Sequence, residues 1–196
     1  DSGRAMEPVP FDGALLGEEF ARLRPSHPGA TLMGIAITIP ESNAMATKTP
    51  GWIGIVLKVM TRYWFDFPWR FRTKRDRRLC LGTALIGGLR HSLLKRNIPL
   101  WLECPMESLV FEQGRVQGVV ARRNGTAITL RARRGVVLAA GGFERNQAMR
   151  EQYLPKPTRE EWAATPAGLN TGDTIRAAAA VGAKLEHMDM SWGVPT

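Results

Sequence analysis

The sequence predicts an α/β fold in which a three-stranded β-meander delivers the chain to a buried parallel strand. Three observations carry this. The run Arg134-Gly135-Val136-Val137-Leu138-Ala139-Ala140-Gly141-Gly142-Phe143 is short and apolar and ends in small residues. That is the pattern of a strand covered on both faces, with an exit where another group can approach the backbone. Residues 106–133 carry apolar residues on either side of Gln113-Gly114 and Asn124-Gly125, and Asn-Gly is the strongest short hairpin signal. Asn170-Thr171-Gly172-Asp173 opens a small-residue helix from Ile175 to Val181. A helix N-terminus offers unpaired N–H groups and a partial positive charge, and open α/β sheets bind ligands beyond the carboxyl ends of their strands. The first and third elements together predict a groove for a large, polar, partly anionic cofactor.

Taken in order, Leu15 to Leu23 has helical spacing, with Leu16, Phe20 and Leu23 on one face and Pro25 and Pro28 ending it. Thr31 to Ile39 reads as a strand or extended loop. Trp52 to Trp64 reads as a helix with Ile53, Val56, Leu57 and Met60 inward. Gly82 to Arg96 is the clearest helix. Leu81, Leu85, Leu89 and Leu93 recur every four residues beside Ile86 and Leu94, Lys95 and Arg96 close the last turn, and Asn97 caps it. Pro99 to Glu103 reads as a parallel strand entered from that helix. After the meander and the strand Val136 to Ala140, a helix from Gln147 to Tyr153 ends at Pro155.

Bulk properties narrow the class. Cys80 and Cys104 form no CxxC pair and have no metal-type spacing to His27, His91 or His187, which predicts a reducing compartment and no structural metal. No apolar run approaches the roughly 20 residues of a membrane span; Trp52 to Phe71 is interrupted by Lys58, Arg62 and Asp66. The formal charge of +9 is concentrated in Arg70 to Arg78, six cations in nine positions. A solvated basic loop is the first expectation. Peripheral membrane contact through residues 52–78 is the second, because an aromatic helix precedes the cluster. Nucleic acid is not expected. The predicted location is cytoplasmic, with membrane association as the alternative.

A dinucleotide fold normally shows G-x-G-x-x-G between its first strand and helix. Gly82…Gly87-Gly88 has the wrong spacing and lies within a helix. Either the chain binds no dinucleotide, or its first βαβ unit lies upstream. Both ends read as cuts within a longer domain, Trp192 to Thr196 stopping in mid-loop, and they favour the second reading.

Ala139-Ala140-Gly141-Gly142-Phe143-Glu144-Arg145-Asn146, followed by Asn170-Thr171-Gly172-Asp173, Ala178 to Ala183 and Met188-Asp189, resembles the fumarate reductase-type flavoproteins. Within them the chain is most similar to the 3-ketosteroid Δ1-dehydrogenases. Pro10-Phe11-Asp12-Gly13, Leu16-Gly17, Ser92 to Arg96, Pro99 to Leu102 and Arg131 to Leu138 carry that likeness. It covers about 1–24 and 79–196, and the stretch 40–78 is not diagnostic.

The resemblance implies part of a glutathione reductase-like FAD domain that lacks its first βαβ unit. Residues 1–78 would form a helical and loop region near the substrate side. Residues 79–186 would form the FAD-binding core with the meander 106–133, and 187–196 the start of a linker to a substrate-capping domain. It implies FAD contacts at Met106 with the adenine, at Ala139, Ala140, Gly141 and Gly142 with the ribose and pyrophosphate, and at Asn170, Thr171, Gly172 and Asp173 with the ribityl and isoalloxazine portion. Where many relatives have glycine after this aspartate, this chain has Thr174.

Plainer roles stay open beside these. Asp173 is also a good helix N-cap, Ala139 to Gly142 a tight strand exit, and Met106 a core methionine. Arg90, Arg145 and Arg176 could meet phosphate, with solvent as the first expectation. No catalytic residue is assigned, because Tyr63 and Tyr153 match none of the family's tyrosine motifs. The implied activity is 1,2-dehydrogenation of a 3-ketosteroid with hydride transfer to the flavin, acting on a small apolar substrate. A fumarate reductase-like or steroid 4-dehydrogenase-like flavoprotein is the alternative within the class. A basic membrane- or nucleic-acid-binding module is the alternative outside it.

Overall fold

The structure is a computed structural model, which describes residues 7–191. Residues 192–196 of the expected linker lie outside this range. The chain folds as two compact units, with the boundary between Leu100 and Trp101.

The first unit contains β1 (Phe11–Asp12), β2 (Thr31–Leu32), β3 (Ile35–Ala36), α1 (Ile39–Ala46), α2 (Trp52–Trp64), α3 (Phe67–Arg70), β4 (Arg78–Leu79) and α4 (Leu81–Lys95). Its core joins Leu16, Phe20, Trp69, Leu79 and Ala84, with Phe11, Ala14, Leu23 and Leu94 packed around them. The segment Gly13–Arg22 brings Leu16 and Phe20 inward as expected, but as 3₁₀ turns joined by a kink at Gly17 instead of one α-helix. Phe20 meets Trp69 edge-on with ring centroids 4.9 Å apart, a preferred aromatic geometry. Residues 31–36 form a hairpin, Thr31 opposite Ala36.

Asp76 is buried and ties three elements together. It accepts hydrogen bonds from the Ala36 N–H at 2.9 Å, the Arg78 N–H at 2.9 Å and Arg62 Nη2 at 3.2 Å.

Helices α2 and α4 fall where the periodicity places them, but their inward faces differ from expectation. On α2 the fully buried residue is Val59, while Ile53 and Leu57 are exposed. On α4 the buried residues are Ala84 and Gly87, while Leu85, Ile86 and Leu89 are each more than half exposed. The reason is steric. A Cβ at Gly87 would stand 2.9 Å from Leu79 Cδ1 and 3.1 Å from Phe11 Cδ1, so only the small-residue face lets the helix come this close. Asn97, at φ +53°, caps the helix as expected. Its N–H donates to the Leu94 carbonyl, and the Ile98 N–H to that of Leu93, which is the Schellman pairing.

The second unit contains β5 (Met106–Glu112), β6 (Arg115–Arg123), β7 (Thr126–Arg131), α5 (Gln147–Tyr153) and α6 (Asp173–Ala180). The meander is antiparallel in the order β5-β6-β7. Both tight turns carry positive φ at two residues, Gln113 and Gly114, then Asn124 and Gly125, as the hairpin twist demands. Gly118 is buried within β6, and a Cβ there would overlap the Leu130 carbonyl.

Two expected strands do not form. Neither 99–103 nor 136–140 pairs with any described residue, and Val137 is 90% exposed. A parallel strand exists only through hydrogen bonds to its neighbours. An apolar run supplies the faces of such a strand but not the adjacent chain.

Candidate cofactor-binding site

The strand exit and the helix entry, far apart in sequence, meet. The Gly172 N–H donates to the Gly142 carbonyl at 3.1 Å, and the Arg145 N–H to the Asn170 carbonyl at 3.2 Å. Asn146 Nδ2 donates to the Thr171 carbonyl at 2.8 Å, while its Oδ1 accepts from the Met149 N–H and caps α5. One side chain therefore starts a helix and fixes the neighbouring turn. Sequence reasoning missed Asn146 as a site residue, although an Asn before a helix-forming run is a recognisable N-cap.

The glycines are required for different reasons. Gly141 takes φ +86°, and a Cβ there would overlap the Asn170 amide. With Ala139 and Ala140 it is exposed, so this stretch of backbone stays open to a ligand. Gly172, at φ +77°, is buried; a Cβ would overlap Met149 Sδ and stand 3.0 Å from Phe143 Cβ.

Gly172 is also the N-cap residue of α6, and no side chain caps that helix. The capping role left open as the plainer alternative for Asp173 is therefore not what forms. Asp173 is the first helical residue, its carboxylate exposed and accepting from the Thr171 hydroxyl at 2.8 Å and from Arg176 Nη2. Thr171, Arg176 and the first-turn position all favour the charged form, and its pKa is lowered, the Thr171 hydrogen bond being the largest cause. Met106 opens β5, half-buried and paired with Ala121, and α6 packs against that strand.

The arginines expected in solvent are partly spent inside the fold. The Arg145 guanidinium donates to the carbonyls of Thr165, Glu160 and Ala163. Arg90 pairs with Glu19 at 2.7 Å, whereas Arg176, paired with Asp173, stays exposed as expected. Tyr63 donates to the Lys74 carbonyl at 2.6 Å, and the Tyr153 ring packs against Phe143.

The basic segment is an irregular loop, partly solvated, whose arginines are mostly tied back to the fold. Arg70 bonds the carbonyls of Lys74 and Arg75, and Arg75 bonds that of Phe20. Arg77 grips Asp12 at 2.6 and 2.7 Å, and Arg78 grips Glu41 at 2.9 Å. Only Arg72 and Lys74 of the six cations lack such partners among the described residues. A cavity of about 490 Å³ beside this segment is lined by Arg62, Arg70, Arg77 and Arg78, but also by Asp12, Asp66 and Asp76. Carboxylates already answer most of its cations. No group of His, Cys, Asp and Glu among the described residues has the arrangement of a metal site.

The open glycine turn, the sugar-compatible carboxylate of Asp173 and the helix start fit an extended nucleotide lying across both turns. The model of the FAD binding domain family matches residues 1–196. The chain belongs to this family. FAD is the cofactor of the family, and the helix-and-sheet architecture of this member is that of its FAD-binding part.

Among curated proteins, the chain is 43% identical over 178 residues to the 3-oxosteroid 1-dehydrogenase of Comamonas testosteroni, covering 89% of this chain and 31% of that protein. It is 36% identical over 201 residues to the enzyme of the same name from Mycobacterium tuberculosis, covering 99% and 34%. Among solved structures it is similar to the 3-ketosteroid Δ1-dehydrogenase of Sterolibacterium denitrificans in complex with 1,4-androstadiene-3,17-dione. That match has a TM-score of 0.91 and 55% identity over 97% of this chain and 35% of that one. The chain spans about a third of the length of these relatives.

Proposed function

We propose that the chain is the cofactor-cradling part of an FAD-dependent oxidoreductase that removes hydrogen from C1 and C2 of 3-ketosteroids. The observation that carries this reading is the convergence of the Gly141-Gly142 turn with the Asn170–Gly172 turn, in a chain whose relatives are named for that reaction. When bound, FAD supplies the hydride acceptor. Ala139, Ala140, Gly141 and Gly142 would let the ribose and pyrophosphate lie on bare backbone. Asn170, Thr171 and Asp173 would meet the ribityl side, Gly172 serving by keeping the turn tight. Met106 would meet the adenine through its main chain. Residues 79–186 are read as the cofactor core and 1–78 as the substrate-side region, with acid–base groups outside this chain.

The decisive experiment uses the full-length protein. It should purify with one flavin per chain, and anaerobic addition of a 3-ketosteroid saturated at C1–C2 should bleach the flavin absorbance as the 1-ene product forms. A flavin that ignores the steroid, yet in its reduced form is reoxidised by fumarate, would overturn the substrate class.

A second reading concerns the surface. Ile53, Leu57, Trp64, Phe65, Phe67 and Phe71 are exposed along α2, α3 and the following turn. A concentrated set of apolar and aromatic side chains marks an interaction surface, and we read it as a peripheral contact with a bilayer, from which an apolar steroid would be drawn. No helix among the described residues is long and apolar enough to cross a membrane.

A further inference from the structure

The carboxylate of Glu144 lies where the two turns meet. Its Oε1 accepts from the Thr165 hydroxyl at 2.5 Å and from Asn170 Nδ2 at 2.6 Å. Its Oε2 stands 2.7 Å from where a Cβ of Gly142 would be. Burial raises the Glu144 pKa, but the hydrogen bonds from Thr165 and Asn170 outweigh it, with Arg150 nearby, and the net direction is down. The group is an anion at neutral pH. An ionised carboxylate can only accept hydrogen bonds. It therefore draws the NH₂ end of the Asn170 amide to itself and turns the Oδ1 end toward Gly141, which is where that oxygen lies. A side chain at 144 with no acceptor oxygen would leave the amide free to rotate, with either end against the glycine turn.

We propose that Glu144 is a positioning residue for the cofactor: acting through Asn170, it keeps the amide oxygen at the Gly141-Gly142 turn and holds the two halves of the cradle in register. This rests on the reading that the cradle binds FAD. Glu144 lies outside the set of contacts that the family resemblance implies, and its role follows from the hydrogen-bond geometry.

The test is FAD titration of the full-length apoprotein, with the apoprotein melting temperature measured alongside. If the unaltered protein takes up no FAD, the underlying reading fails whatever the variants do. If it binds, Glu144→Ala should weaken FAD at least about tenfold, the scale of lost hydrogen bonds to a charged group, with little change in the melting temperature of the apoprotein. Glu144→Gln, which keeps an acceptor oxygen, should recover affinity to within about threefold of the unaltered protein. Equal affinity in Glu144→Ala, or a glutamine variant no better than alanine, would overturn the proposal. Should the alanine variant not fold, Asn170→Asp carries the test. It sets two carboxylates against each other and should weaken FAD more than Glu144→Gln does; equal losses would overturn the proposal.

Discussion

At Gly172 the backbone takes φ +77° while Phe143 and Met149 occupy the space a side chain would need. Both demands come from packing, so Gly172→Ala should cost about 2 kcal/mol of stability, combining left-handed backbone strain with overpacking. Chemical denaturation of the full-length protein would measure it. Asp173 is the opposite case. Its carboxylate is exposed, and it neither caps α6 nor anchors another element. Asp173→Ala should change stability by no more than about 0.5 kcal/mol while lowering flavin occupancy. A variant with full flavin content and a depressed melting point would show that Asp173 serves the helix instead. The two residues are neighbours in one motif, and sequence spacing could not separate their roles. The separation needs Met149 and Phe143, which arrive from another segment.

Among the elements, the first unit is held by ion pairs that cross between β1, α1 and the basic segment, and these predict an acid limit. The Arg77 hydrogen bond holds the Asp12 carboxyl below its ordinary range, against a smaller burial effect. Burial raises Glu41, but the Thr38 N–H and Arg78 more than reverse it. Both carboxyls are thus more acidic folded than unfolded. Their stabilisation is complete above the unfolded pKa, near 4, and is lost as pH falls through the lower folded values. The melting temperature should hold between about pH 5 and pH 7 and drop below about pH 4. Asp12→Asn should make that drop shallower, at a cost of at most about 1 kcal/mol near neutrality, since the pair is partly exposed.

The elements were unevenly legible beforehand. The meander, with its two positive-φ turns, could be read because two-residue hairpins are specified locally. The helices 52–64, 82–96 and 147–153 could be placed for the same reason. Their buried faces could not: on α4 the exposed Leu85, Ile86 and Leu89 outnumber the buried Ala84 and Gly87, and only Phe11 and Leu79 show which face has room. The strands expected at 99–103 and 136–140 pair with no described residue, because pairing depends on a neighbour and not on composition.

For the whole molecule the relevant quantity is charge. The formal +9 suggests an electrostatic partner, yet much of the basic segment is turned toward carbonyls and carboxylates of the same chain. If the aromatic surface meets a bilayer, its binding to phosphatidylcholine vesicles should persist when salt is raised from about 0.1 M to 0.5 M, because screening weakens exposed charges and not apolar burial. Phe71→Ser, at the most exposed of these aromatics, should weaken vesicle binding about tenfold, the order expected for one buried phenylalanine. Binding that collapses with salt and ignores Phe71→Ser would point to Arg72 and Lys74 in place of the ridge.

Local physics was enough for the sequence alone to establish a glycine exit, a small-residue helix entry and a two-turn meander, because each is written in a few adjacent residues. Family membership could be read from the same adjacent motifs. What only the tertiary structure decided is which of these segments touch: that Gly142 and Gly172 share a hydrogen bond, that Asn146 and Glu144 bind the turns together, and that Arg145 and Arg75 turn toward carbonyls of the fold. Those facts depend on groups distant in sequence competing for the same donors and the same space, and no single segment records that competition.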